Sequence, residues 1–142
     1  MEIRSPQNKA ELDAYFDLRW RLLRKPWGET KGSEQDQFED SSHHIIAVEK
    51  NKIIGVARLQ EINPQQLQLR YMAVAENTQK KGIGTAIIFY AEQYAQQHDY
   101  LEIFLHARES AVGFYSHLNY QQLEKSYLLF DDIQHYKMHK VF

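Results

Sequence analysis

The sequence predicts an α/β (α+β) domain organised around one mixed sheet. Three observations carry this. Apolar residues recur at three-to-four spacing in three stretches, β-branched or alternating runs lie between them, and the two patterns interleave in the order β-α-(α)-β-β-β-α-β-α-β-β. At 142 residues and 43% hydrophobic content, the chain is long enough to bury a sizeable core and is read as one domain over 1–142.

"MEIR" is a first short strand. Leu12, Tyr15, Phe16, Arg19, Leu22 and Leu23 then follow at helical spacing, and Pro26 and Gly28 end that helix. The polar segment "GETKGSEQDQFEDSS" is loop or short helix. "HHIIAVE" and "KIIGVARLQEI" are rich in β-branched residues and joined by "KN", which predicts an antiparallel hairpin. "LQLRYMAV" alternates Leu67, Leu69, Tyr71 and Ala73 against Gln68, Arg70, Met72 and Val74, as a strand would.

Ile83, Ile87, Tyr90, Ala91 and Tyr94 form the stripe of a second long helix. "YLEIFLHA" is a strand. "ESAVGFYSHL" places Ala111, Phe114, Tyr115 and Leu118 at helical spacing, with Asn119 suited to a left-handed end. "KSYLLF" and "HYKMHKVF" close the chain as two strands around "DDIQ".

Composition narrows the function. Acids and bases nearly balance at a formal charge of −2, which gives no basic field for nucleic acid. Cysteine is absent, which excludes disulfides, thiolate metal sites and any acyl transfer through a cysteine. No apolar run reaches the ~18 residues of a membrane span, and "MEIRSPQNKAELDAYF" lacks a signal-peptide core, so a cytoplasmic protein without a membrane partner is expected. His135 and His139, four apart on a strand, form no metal pattern with a third ligand, and His43 and His44 point to opposite sides of their strand. No metal is expected.

The second long helix opens unusually, with "QKKGIGT". Glycine weakens a helix interior by about 1 kcal/mol relative to alanine, but backbone N–H groups at a helix start flanked by cations suit a phosphate. The G-x-x-x-x-G-K-[ST] spacing of a P-loop is absent. A dinucleotide fingerprint fits poorly, because Gly82 and Gly84 lie several residues beyond Val74 and Ile87 occupies the third glycine position.

The strand "LRYMAV", the loop "AENT" and then Gln79-Lys80-Lys81-Gly82-Ile83-Gly84 resemble the Q/R-x-x-G-x-G/A motif of the GNAT acetyltransferase superfamily. A second block, "ARESAVGFYSHLNY", is similar to that family's N-x-x-A-x-x-F-Y-x-x-x-G-F at Ala111, Phe114, Tyr115 and Tyr120. "LRWRLLRKPWG" and "DDIQHYKM" resemble the ElaA-like branch, with Asp132 and Gln134 in place of its glycine and proline.

The resemblance implies the GNAT fold, a mixed six- to seven-stranded sheet flanked by about four helices and splayed where acyl-CoA binds. It also implies direct attack of a small-molecule or peptide amine on the thioester of acetyl-CoA, the co-substrate. The amides from Lys81 to Thr85, including Gly82, Ile83 and Gly84, would meet the pyrophosphate. Gln79 stands where the family often has arginine, and Lys80 and Lys81 would supply charge there or form a solvated helix start. The backbone of Met72, Ala73 and Val74 would pair with pantetheine and donate to the thioester oxygen.

Tyr115 aligns with the tyrosine that protonates the departing sulfur; its alternative is core packing beside Phe114. Family members often carry a base on the preceding strand, where this chain has Gln68 and Arg70. His106 is the nearest substitute, against a structural role for it or a water chain ending on Glu61 or Glu102. Arg108 replaces an asparagine that contacts pantetheine, and would reach a phosphate or cap local carbonyls.

For the acceptor, Arg19, Trp20, Arg70 and His135 are the candidate substrate residues. An arginine pair would favour a carboxylate or phosphate on the substrate, and the alternative is a basic helix face with an aromatic staple. Longer-chain acylation of an amino-acid derivative and a non-catalytic acyl-CoA sensor are the competing functions. A homodimer is the one assembly left open.

Overall fold

Asn8 accepts a hydrogen bond from the Glu11 amide at 2.9 Å and so caps the first helix, α1 (Lys9–Leu23), just after strand β1 (Glu2–Arg4). In the computed structural model, which describes residues 1–78, 82–130 and 132–142, the further elements are β2 (His43–Glu49), β3 (Lys52–Asn63), β4 (Gln66–Val74), α2 (Ile83–Gln97), β5 (Glu102–Arg108), α3 (Val112–His117), β6 (Gln121–Leu129) and β7 (Ile133–Val141). The strands form a mixed seven-stranded sheet in the order β1-β2-β3-β4-β5-β7-β6. Among the described residues there are three α-helices, two of fifteen residues and one of six, against the four or so expected. The second helix expected before β2 is reduced to turns and a 3₁₀ segment at Glu39–Ser41.

The chain forms two compact units, Met1–Gln60 with Tyr71–Ala91, and Glu61–Arg70 with Glu92–Phe142. In the first, β1 and β3 flank β2 antiparallel, and Lys50 and Asn51 turn the β2–β3 hairpin with φ of 52° and 63°. Positive φ at both central residues is the geometry that matches strand twist in a two-residue hairpin. Tyr15 and Leu18 of α1 pack with Ile46, Val56 and Ala73 in a buried cluster.

Gly55 lets α2 approach β3. A Cβ there would meet Ile87 Cδ1 at 2.9 Å and Ile83 Cγ2 at 3.0 Å, so any larger residue would push the two isoleucines aside. Both isoleucines are fully buried, worth about 1.5–3 kcal/mol each. This packing fixes where α2 begins.

In the second unit, β4 pairs parallel with β5 from Gln66–Leu69 to Glu102–Leu105, and β7 runs antiparallel between β5 and β6. Ile103, Leu105 and Met138 are buried there. Glu92 ties the C-terminal part of α2 to two other elements. It accepts from the Tyr120 hydroxyl at 3.0 Å and from Lys140 Nζ at 3.1 Å, and Lys140 also donates to the Leu118 carbonyl at 3.2 Å. Asn119, with φ of 70°, ends α3 in the left-handed region.

Candidate active site

The helix start that drew attention in the sequence is built on backbone. Gly82 has φ of 73° with nothing within 4 Å of the position a Cβ would take, so conformation rather than space explains the glycine. The Ala86 amide donates to the Gly82 carbonyl at 3.1 Å. The amides of Ile83, Gly84 and Thr85 therefore precede the helical ladder, at the positive end of the α2 dipole. Ile83 is buried, whereas Gly84 and Thr85 are half-buried. Three leading amides on a helix of fifteen residues can receive an anion. Gln79, Lys80 and Lys81 lie outside the described residues.

The far end of β4 departs from regular strand geometry at one residue. Tyr71 has φ of 55°, which a bulky L-residue adopts at a cost of about 1–2 kcal/mol. A left-handed residue interrupts the regular pleat locally, yet the strand runs on to Val74 and its burial keeps the period of two, with Leu67, Leu69 and Ala73 buried and Gln68, Arg70, Met72 and Val74 half-buried. Met72 and Val74 are half-buried and Ala73 joins the α1 core, and the Ala75 amide donates to the Ile54 carbonyl at 2.9 Å.

Around Tyr71 lies a network of charges that the sequence reading did not assemble. Arg19 and Arg58 are both 0% exposed. Glu39 accepts from Arg19 at 2.9 Å through each carboxylate oxygen and from Arg58 at 2.9 Å, while Asp36 accepts from Arg58 at 2.7 and 3.0 Å. Arg19 also donates to the Glu34 carbonyl and the Tyr15 hydroxyl.

Burial works against both guanidinium charges, but the hydrogen bonds to Glu39 and Asp36 outweigh it and raise both pKa values. The same balance leaves Glu39 below its ordinary value: burial pushes up, and Arg19 pulls down further. Arg19 is thereby an internal structural cation, its guanidinium committed inside the first unit rather than presented to a substrate anion. Its signal was its place on the helical stripe, four residues after Tyr15. Trp20 is likewise engaged, donating from Nε1 to the Glu29 carbonyl at 3.1 Å.

His44 is neutral. Burial lowers its pKa, Nε2 donates to the Glu39 carbonyl at 2.8 Å, and Nδ1 lies 2.8 Å from the Tyr15 hydroxyl. His43 instead contacts the Tyr90 hydroxyl at 2.9 Å, so the two histidines do serve different partners.

In the second unit Tyr115 is 6% exposed on α3 and packs edge-on against Phe114 at 5.0 Å and Tyr120 at 5.8 Å. Burial raises its pKa, which keeps the phenol protonated through the physiological range. His106 on β5 lies opposite Lys137 in the β5–β7 ladder, and Arg108 lies opposite His135. The Tyr127 ring is 5.2 Å from His106 and stacks on His135 at 4.4 Å, giving a row of three rings.

His135 is buried, and its Nδ1 donates to the Ile133 carbonyl at 2.9 Å. The Nδ1 of His106 is buried without a hydrogen-bond partner among the described residues. Burial lowers the pKa of both imidazoles, helped for His106 by Lys137, His135 and Arg70, so both are neutral at pH 7. Arg70 and Arg108 are half-buried.

The other two base candidates are occupied. Glu61 accepts from the Tyr100 hydroxyl, which pushes that phenol up to about 12, and Glu102 accepts from Gln66 at 2.8 Å and faces His139 Nδ1 at 3.3 Å. Among the described residues no group of three or more His, Cys, Asp or Glu side chains could hold a metal ion, and no helix is long and apolar enough to cross a membrane.

Known proteins bear on this arrangement. The uncharacterized N-acetyltransferase CT2212 of Chlorobaculum tepidum is 27% identical over 97 residues, covering 68% of this chain and 61% of that protein, so the chain spans less than two thirds of that relative's length. The uncharacterized N-acetyltransferase YjcF of Bacillus subtilis is 25% identical over 134 residues, 94% of this chain and 95% of its own.

Two solved structures share the fold. An aminoglycoside 6'-N-acetyltransferase complexed with coenzyme A superposes with a TM-score of 0.84 at 17% identity over 99% of this chain and 97% of that one. Escherichia coli ElaA does so with a TM-score of 0.83 at 16% identity over 99% of each. The family model for the Acetyltransferase (GNAT) family matches residues 12–120, a span that holds most of α1, the left-handed glycine at the start of α2, and Tyr115. The chain belongs to that family.

Proposed function

We propose that the chain transfers an acetyl group from acetyl-CoA to a primary amine of a small molecule or peptide by direct attack. The observation that carries this reading is the left-handed Gly82 and the three amides it leaves ahead of the α2 ladder, a seat of the right polarity for the pyrophosphate of CoA. The backbone of Met72–Val74 pairs with the pantetheine arm as an added strand would, and donates to the thioester oxygen.

Chemically, the amine nitrogen forms a bond to the acetyl carbon, the carbon–sulfur bond breaks, and the thiolate takes a proton. Tyr115 supplies that proton. Burial raises its pKa, but a thiolate formed in the same desolvated setting is raised too, so the transfer stays near balance. His106 takes the proton from the amine. Of the three base candidates it is the neutral one whose ring nitrogen has no partner among the described residues, whereas Glu61 and Glu102 are engaged.

Arg70 and His135 are the remaining acceptor-side candidates, with Arg19 removed to the interior. Thiol release from acetyl-CoA, followed across a panel of small amines and peptide N-termini, tests the proposal. Amine-dependent release is the expected result. Acetyl-CoA binding with no release on any amine would instead make the protein an acyl-CoA sensor.

A further inference from the structure

Tyr71 holds a left-handed backbone inside a strand, and a bulky residue keeps that conformation only where its surroundings over-determine it. Those surroundings are unusually charged. The Arg19 guanidinium carbon lies 3.7 Å from the ring centroid, that of Arg58 4.8 Å and that of Arg24 5.6 Å. The Tyr71 hydroxyl donates to Asp36 at 3.3 Å, and Asp36 in turn grips Arg58.

Arg19 and Arg58 each bury an Nε with no hydrogen-bond partner among the described residues. An orphaned buried donor calls for a reason, and the electron-rich face of an adjacent ring gives one. The cations hold the ring, and the carboxylates hold the cations.

We propose that Tyr71 is a positioning residue: the guanidinium cage around its ring fixes the left-handed turn of β4 and so aims the peptide groups of Met72–Val74. This rests on the assignment of that segment to the pantetheine arm. The cage is a property of Arg19, Arg58, Asp36 and Glu39 together, which explains why two fully buried arginines sit beside a strand end that must present its backbone. A residue at 71 without a π face lets the chain relax toward the ordinary extended conformation, which turns those peptide groups away.

Calorimetric titration of wild type, Tyr71→Leu and Tyr71→Phe with CoA and with adenosine 3',5'-bisphosphate, a nucleotide that lacks pantetheine, tests the idea. Tyr71→Leu is expected to weaken CoA binding by about tenfold and to leave the bisphosphate within about twofold, while Tyr71→Phe, which keeps the ring, stays within about threefold of wild type for CoA. If Tyr71→Leu fails to fold, Tyr71→Met carries the same expectation.

Unchanged CoA binding in the variant, or an equal loss for both ligands, would overturn the positioning role. Equal affinity of the wild type for CoA and the bisphosphate would overturn the pantetheine assignment itself.

Discussion

Two regions of this molecule handle ionisable side chains in opposite ways. In the first unit Arg19, Arg58, Asp36 and Glu39 are paired so that every charge is locked: the guanidinium pKa values rise and that of Glu39 falls. In the second unit Tyr115, His106 and His135 sit where burial favours the neutral form. Charges locked by partners cannot move protons, but they can fix geometry. Neutral groups poised by desolvation can exchange a proton with a reacting species. The contrast suits scaffolding for the first set and, in the proposed reaction, proton transfer by Tyr115 and His106 in the second.

The largest effect should come from breaking the locked set. Glu39→Gln leaves Arg19 and Arg58 buried without their shared carboxylate and is expected to cost about 3–5 kcal/mol in denaturant unfolding. The sign of the pH dependence follows. Because the folded Glu39 pKa is depressed, its contribution is complete above the ordinary carboxylate value and is lost as pH falls through the folded one. This Glu39 contribution should therefore be lost only on strong acidification, beyond the earlier loss below about 6.5 that the lowered imidazole pKa values of His44, His106 and His135 bring. Glu39→Gln should show less of the strongly acidic part.

His106→Gln attacks the other set. It should reduce kcat/KM by about 10²–10⁴-fold while leaving unfolding stability near wild type. The wild-type acid limb should fall below the ordinary imidazole pKa of about 6.5, since the base must be neutral and its pKa is lowered, and the limb should vanish in the variant. A persistent limb would return the base role to Glu61 or Glu102.

Gly82→Ala is the smallest perturbation. There is room for the methyl group, so only the positive φ resists it, at about 1–2 kcal/mol. Acetyl-CoA affinity should weaken with little change in turnover at saturation, as measured by titration and steady-state kinetics.

Much of this was legible from residue patterns. The spacing of Leu12, Tyr15, Phe16 and Leu22, the β-branched runs around Lys50 and Asn51, and the glycines on either side of Ile83 each report on local structure, where the cause lies within a few residues. β6 began earlier than expected, at Gln121, because its exposed and polar start carries no alternation.

What stayed hidden depends on distant contacts. The partnership of Arg19 with Glu39 joins residues twenty apart through a loop, and nothing in "GETKGSEQDQFEDSS" marks which carboxylates turn inward. Tyr71 was read as one more alternating residue because tyrosine is a strand former, and its left-handed backbone follows from the cage around it rather than from its own preference. In the second unit Tyr115 could be found by motif, but the row of His106, Tyr127 and His135 requires the β6–β7 register.

The division between locked and proton-moving groups is tested most directly by Tyr115→Phe, which removes one hydroxyl from a buried ring and little else. With a competent amine, turnover should fall by about 10²-fold or more while acetyl-CoA affinity stays within about twofold. Unchanged turnover would contradict the account, leaving Tyr115 a core residue and the departing thiolate to take its proton elsewhere.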